Sequence, residues 1–195
     1  MPNHCSNYLE VKVAKGHEDF FDRMVAAIED GRLNAFIVPI PECLEGVMSG
    51  SYGAGTLEQA ELERRYASNR EECGYANWYD FCTSEWGTKW DIYDYDLSTD
   101  MENRTIKLHF NSAWSPPMGV YSHMDDMPEI ESFHAVYFEP GCCFCGFYGD
   151  GVDAEYGIDE FTVDWVDKHI PSYICETMGM YEYMAECEEY EEEYE

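Results

Sequence analysis

At 195 residues, with 45% hydrophobic and 16% aromatic side chains, the chain is long and apolar enough to bury a core, which excludes a disordered protein. Eleven bases against 41 acids, a formal net charge of −30, exclude a nucleic-acid binder and a ligand of anionic membranes, and point to a basic protein surface as the partner. No basic start leads into an apolar run and no stretch is apolar enough to span a bilayer, so a cytosolic location is expected, with the nine cysteines reduced.

In chain order, Leu9, Val11 and Val13 alternate with Tyr8, Glu10 and Lys12, the period of a half-buried strand. Phe20, Phe21, Met24, Val25 and Ile28 form one helical stripe, opened by Glu18 and Asp19 and ended by Gly31. The run Ala35 to Ile40, closed by Pro39 and Pro41, reads as a strand near a sheet edge. Gly46 to Gly55 is a glycine-rich loop without the Gly-Lys-Ser/Thr ending that phosphate binding needs. Thr56 and Gln59 stand at capping-box spacing, so a helix is predicted from there to about Arg70, and a second helical piece carries Trp78 and Phe81 up to Gly87.

Thr88 to Tyr95 and Thr105 to Phe110 read as strands, and Ser115, Pro116 and Pro117 break the chain. Phe133 to Phe138 and Cys142 to Tyr148 flank Glu139, Pro140 and Gly141 and predict a hairpin. Phe161 to Val166 is a last strand or the start of a helix, and Tyr173 to Tyr194 is the C-terminal helical region.

No constellation identifies an active site. Cys142 and Cys145 have CxxC spacing, yet no second pair accompanies them and the six histidines are scattered, so small buried thiols are expected rather than a metal centre. Asp91, Asp94 and Asp96 fail the calcium-loop pattern, because its third and fifth positions are Tyr93 and Tyr95 and its glycine position is Asp96. No GxSxG or HExxH is present. A non-enzymatic protein without cofactors is therefore expected.

The acid is unevenly placed: residues 1–107 hold 20 acids and 10 bases, residues 108–195 hold 21 acids and one base, Lys168. Asp150, Asp153 and Glu155 open the most acidic stretch and YEYMAECEEYEEEYE closes it. On a helix, Tyr183, Cys187, Tyr190 and Tyr194 share one face while Glu182, Glu186, Glu189 and Glu193 line another. The eight glutamates from Glu182 to Glu195 put one carboxylate per roughly 2.6 Å of helix axis, against about 1.7 Å per charge in duplex DNA. Such a surface competes for a basic groove built to hold nucleic acid. Because neighbouring glutamates repel, a helical tail has to pack on the body or on a partner.

Three segments carry a family resemblance: Pro2-Asn3-His4-Cys5-Ser6-Asn7, Trp86-Gly87-Thr88-Lys89-Trp90-Asp91 and Ser112-Ala113-Trp114-Ser115-Pro116-Pro117. Together with Glu139-Pro140-Gly141 followed by Phe144 and Gly146, they resemble the YubB-like ferredoxin-fold family of plasmid and bacteriophage proteins, over residues 1 to about 148. The chain departs from that pattern at His4, where members usually carry tryptophan, and in its acidity and tail. The resemblance implies a ferredoxin-like antiparallel α+β sheet with helices on one face and a mobile-element origin, and it carries over no catalytic residue.

The expected organisation is thus a ferredoxin-like domain over 1–172, with a helical insertion around 56–86, and an acidic helical extension over 173–195. The expected function is inhibition of a basic, nucleic-acid-handling host defence protein, such as a CRISPR effector or restriction nuclease, by DNA-like charge mimicry. Asp150, Asp153, Glu155, Glu182, Glu186, Glu189 and Glu193 supply charge in this reading, and Tyr183, Tyr190 and Tyr194 supply apolar contact. The alternatives are a small metal-binding or redox enzyme using Cys142, Cys143 and Cys145, and an acidic structural accessory protein.

Overall fold

The computed structural model describes residues 3–149 and 151–194, of which 188–194 are described by backbone alone. Six antiparallel strands form one sheet in the order β2-β3-β1-β4-β5-β6. They are β1 (His4–Val13), β2 (Tyr93–Asp100), β3 (Thr105–Ala113), β4 (Ile130–Glu139), β5 (Phe144–Gly149) and β6 (Val152–Gly157). Helices α1 (Glu18–Glu29), α2 (Leu33–Ile37), α3 (Leu57–Cys73) and α4 (Trp78–Phe81) separate β1 from β2, and α5 (Met118–Asp125) separates β3 from β4. The first four strands and their crossovers form the split β-α-β unit of ferredoxin-like domains. β5 and β6 extend it as a meander.

Alternation along the strands decides what each face buries. Leu9 pairs with Leu108 and Ala135, and Val11 with Ile106 and Phe133, so these apolar residues line one face together. Phe20, Phe21, Met24 and Ile28 of α1 and Val120, Tyr121 and Met124 of α5 close over that face into the main core. The next residues along, Tyr8, Val136, Phe138 and Cys145, point the other way. There α6 (Val163–His169), α7 (Ser172–Met178) and α8 (Met180–Tyr194) cover them with Val166, Ile174, Cys175, Met180 and Met184. The layer of helices expected on one face is therefore joined by a second layer on the other, built from residues 163 onward.

The three segments that carry the resemblance meet at one end of the sheet. Asn7 Nδ2 donates to Ser112 Oγ at 2.8 Å, Thr88 Oγ1 donates to the Ala113 carbonyl at 2.9 Å, and the Trp114 amide donates to the Asn3 carbonyl at 3.1 Å. Trp86 ends a π-helical segment (Cys82–Trp86) and donates its indole N–H to the Val38 carbonyl at 2.8 Å. These residues fasten the crossovers to the sheet.

Several expectations are corrected. Ala35 to Ile40 is not a strand: the Asp91 carboxylate accepts from the Asn34 and Ala35 amides at 2.8 and 3.0 Å and starts α2 there. Thr88 to Ile92 is spent on such anchoring, so the strand begins only at Tyr93. Phe161 to Val166 resolves as a helix start, with Thr162 Oγ1 accepting from the Trp165 amide. Helix α3 continues past Arg70 to Cys73, where Gly74 at φ 89° ends it.

Candidate partner-binding surface

The C-terminal helical region is two helices because Gly179 takes φ 62° between them, a left-handed turn that L side chains resist. Beyond that turn α8 packs on the second face of the sheet. Met180 and Met184 are buried in the second core, and the Tyr183 ring packs against Phe138 and Phe161 at centroid distances of 5.4 and 5.9 Å. Tyr181 donates its hydroxyl to Asp167 at 2.8 Å, which ties α8 to α6 and raises the phenol pKa. With the apolar side of the helix occupied in this way, Glu182 and Glu186 face solvent.

Tyr183 therefore does a different job from the one its spacing suggests. It anchors the helix to the sheet instead of offering apolar contact to a partner, and burial pushes its phenol up to about 12, with the Cys187 thiol adding to the shift. Cys187, expected on the same face, is exposed. Asp150 lies outside the described residues, as do the side chains of Glu189, Tyr190, Glu193 and Tyr194.

Asp153 and Glu155 occupy alternate positions on β6, opposite Tyr148 and Gly146 of β5. Tyr148 packs on the main core, so these two carboxylates share the face of α5, whereas α8 covers the other. The two groups of acids that the sequence singles out are split between the faces of one sheet. What unites them is the β4-β5-β6 side. Asp125, at the end of α5, joins the first group by accepting from the Tyr148 hydroxyl at 2.6 Å. Burial and the Asp125 carboxylate together push that phenol up to about 12. Asp125 and Asp167 escaped a reading centred on the tail, although the excess of acid after residue 107 contained the signal.

Four of the eleven bases take part in ion pairs among the described residues. Lys12, Arg104 and Lys107 lie on or beside β1 and β3, where they meet Glu131 and Glu10, and Arg23 pairs with Asp19 on α1. The bases of three of the four ion pairs among the described residues are on that side, and the acid that Lys12 and Arg104 share, Glu131, is at the start of the neighbouring β4. Asp153, Glu155, Asp159, Glu160, Asp164, Glu176, Glu182 and Glu186 have no cationic partner among the described residues. Lys168 on α6 is the one base among them, so their summed field stays strongly negative toward an approaching basic surface.

The cysteine cluster does not converge. Cys142 and Cys143 are exposed in the β4–β5 turn, whereas Cys145 is buried in the second core, where desolvation pushes its thiol up to about 12. Cys142 sits over the buried Glu139, which accepts from its amide and raises its thiol pKa, the opposite of what a nucleophile needs. Among the described residues, no three His, Cys, Asp or Glu side chains gather as a metal site. No helix among the described residues is long and apolar enough to cross a membrane.

Compared with protein-family models, with curated proteins and with solved structures, the chain matches none.

Proposed function

We propose that this protein is a non-enzymatic acidic inhibitor that docks on a basic nucleic-acid-handling protein and occupies the groove meant for nucleic acid. The carrying observation is the acid on β6 and α6–α8, where Asp153, Glu155, Asp164, Glu176, Glu182 and Glu186 take part in no ion pair among the described residues. A sheet with helices on both faces fixes the backbone that carries these carboxylates, so the ordering cost of binding falls on their side chains alone. The likeness of the tryptophan motifs to a plasmid- and phage-borne family supports a mobile-element setting. A CRISPR effector or restriction nuclease in the bacterial cytoplasm is then the target.

The decisive test is competition. The full chain is immobilised, candidate nucleases are bound at low salt, and duplex DNA is added in excess. Elution by DNA, with loss of binding at moderate salt, is the expected result. A nuclease that stays bound under excess DNA would show that its groove is free, and the mimicry reading would fall.

A further inference from the structure

Cys43 and Cys73 lie thirty residues apart in sequence with their sulfur atoms 3.1 Å apart. A disulfide needs about 2.05 Å, so the two sulfur atoms have to close by about an ångström to bond. Their placement gives the contact meaning. Cys43 stands beside Leu44, which is fully buried in the main core, at the point where the chain leaves the body. Cys73 is the last residue of α3, where the chain returns. The excursion between them holds the glycine-rich loop, with Gly46, Gly50, Gly53 and Gly55 all at positive φ, and a highly charged helix that buries only Leu62 and Asn69. Both thiols are partly exposed.

We propose that Cys43 and Cys73 form an oxidisable dithiol, a modification site for low-molecular-weight disulfides, that closes the base of the α3 excursion. The two sulfurs stand in a hydrogen-bonded chain, in which Cys73 in turn donates to the Asn69 carbonyl at 3.3 Å. The Cys43 thiol donates toward the Cys73 sulfur, and this bond, with burial, pushes the Cys43 pKa up to about 11. Cys73, on giving up its proton to solvent, attacks the incoming disulfide RSSR and expels one thiolate RS⁻. Cys43 then gives up its proton to that thiolate and attacks the Cys73 sulfur, forming the Cys43–Cys73 bond and releasing the second RS⁻, which takes the proton that Cys73 lost. Two protein thiols are oxidised and one small disulfide is reduced to two thiols.

The experiment exposes the native full chain to bis(2-hydroxyethyl) disulfide, a neutral probe that the acidic surface does not repel. Remaining thiols are alkylated under denaturing conditions, and tryptic peptides are weighed and fragmented, because Glu71 to Lys89 forms one peptide that carries both Cys73 and Cys82. The expected product joins the peptide containing Cys43 to that containing Cys73, two hydrogens lighter than the reduced pair and restored by dithiothreitol. Two of the nine thiols are then lost to this bond, apart from probe adducts on exposed Cys142, Cys143 and Cys187. In Cys43→Ser the probe remains attached to Cys73, because the resolving thiol is gone. Alkylation of both Cys43 and Cys73 while Cys142 takes up the probe would overturn the proposal, and so would a bond from Cys73 to Cys82. A Cys73 left unmodified in Cys43→Ser would overturn the assignment of the attacking sulfur.

Discussion

Tyr183 meets Phe138 edge-on, with ring centroids 5.4 Å apart and planes at 82°, and this contact joins the acidic helix to the centre of the sheet. Charge alone would drive such a helix apart, since neighbouring glutamates repel. Its helical state is sustained by Met180, Tyr183 and Met184.

Removing those anchors therefore releases the helix. Met184→Ala should cost about 2–5 kcal/mol by deleting a buried side chain, and Tyr183→Ala about 0.5–1.5 kcal/mol from the lost aromatic geometry, plus its buried area. Amide exchange would accelerate in α8 for both variants while β1 and β3 stay protected. Uniform acceleration across the sheet would mean that α8 is part of one indivisible cooperative unit.

Close backbone packing gives a second prediction. A Cβ on Gly119 would sit 2.0 Å from the Glu85 carbonyl oxygen, so Gly119→Ala forces α5 away from the π-helical segment. The cost is expected at about 1–3 kcal/mol, as for other overpacked sites. Gly157→Ala, where nothing lies within 4 Å, is the control and should stay within about 0.5 kcal/mol. Urea unfolding of the two variants checks the difference.

Much of the main core was legible because its periods are clean: Leu9, Val11 and Val13, Ile106, Leu108 and Phe110, and the stripe on α1 all lie where alternation and helical spacing put them. Residues 35–40 failed because a distant carboxylate, Asp91, supplies the acceptors that begin α2, and no local propensity encodes that. Strand β6 and helix α5 escaped for a related reason. β6 alternates acids with Ala154 and Tyr156 on an edge with little to bury, and α5 follows two prolines that read only as a break. The acids of the site were visible as composition, but their division between two faces depends on the register of β5 and β6.

Alkaline pH should unfold the protein by way of its buried phenols. Tyr121 is fully buried, donates to Asn7 Oδ1 at 3.4 Å, and has its pKa raised well above the usual tyrosine value by desolvation. Below about pH 10 the phenol is protonated in both states and costs nothing. As pH rises beyond that, the unfolded chain loses the proton first, so stability falls until the folded value is reached. Tyr121→Phe should lose about 0.5–1.5 kcal/mol at neutral pH through the missing hydrogen bond, yet show a shallower decline above about pH 10. Parallel stability–pH curves for the two proteins would exclude Tyr121 from the alkaline transition.

The split of the acidic residues between two faces determines how binding should respond to charge reversal. Asp153→Lys/Glu155→Lys alters the α5 side and Glu182→Lys/Glu186→Lys alters the α8 side, and each pair changes the net charge equally, from −30 to −26, because every reversal adds two. If only overall charge mattered, the two variants would slow association with a basic partner to the same extent. A partner that closes on one face distinguishes them: charges within about 8 Å of its surface are felt through physiological salt, whereas those across the sheet are screened. The docking-face pair should slow association by about tenfold or more and flatten its salt dependence, and the other pair should do little. Because Glu182 and Glu186 project from a helix whose apolar side is already committed to the sheet, the α8 face is expected to be the sensitive one. Association rates by stopped flow at two salt concentrations would assign the face, and equal slowing by both pairs would replace face-on docking with capture by the β6 edge.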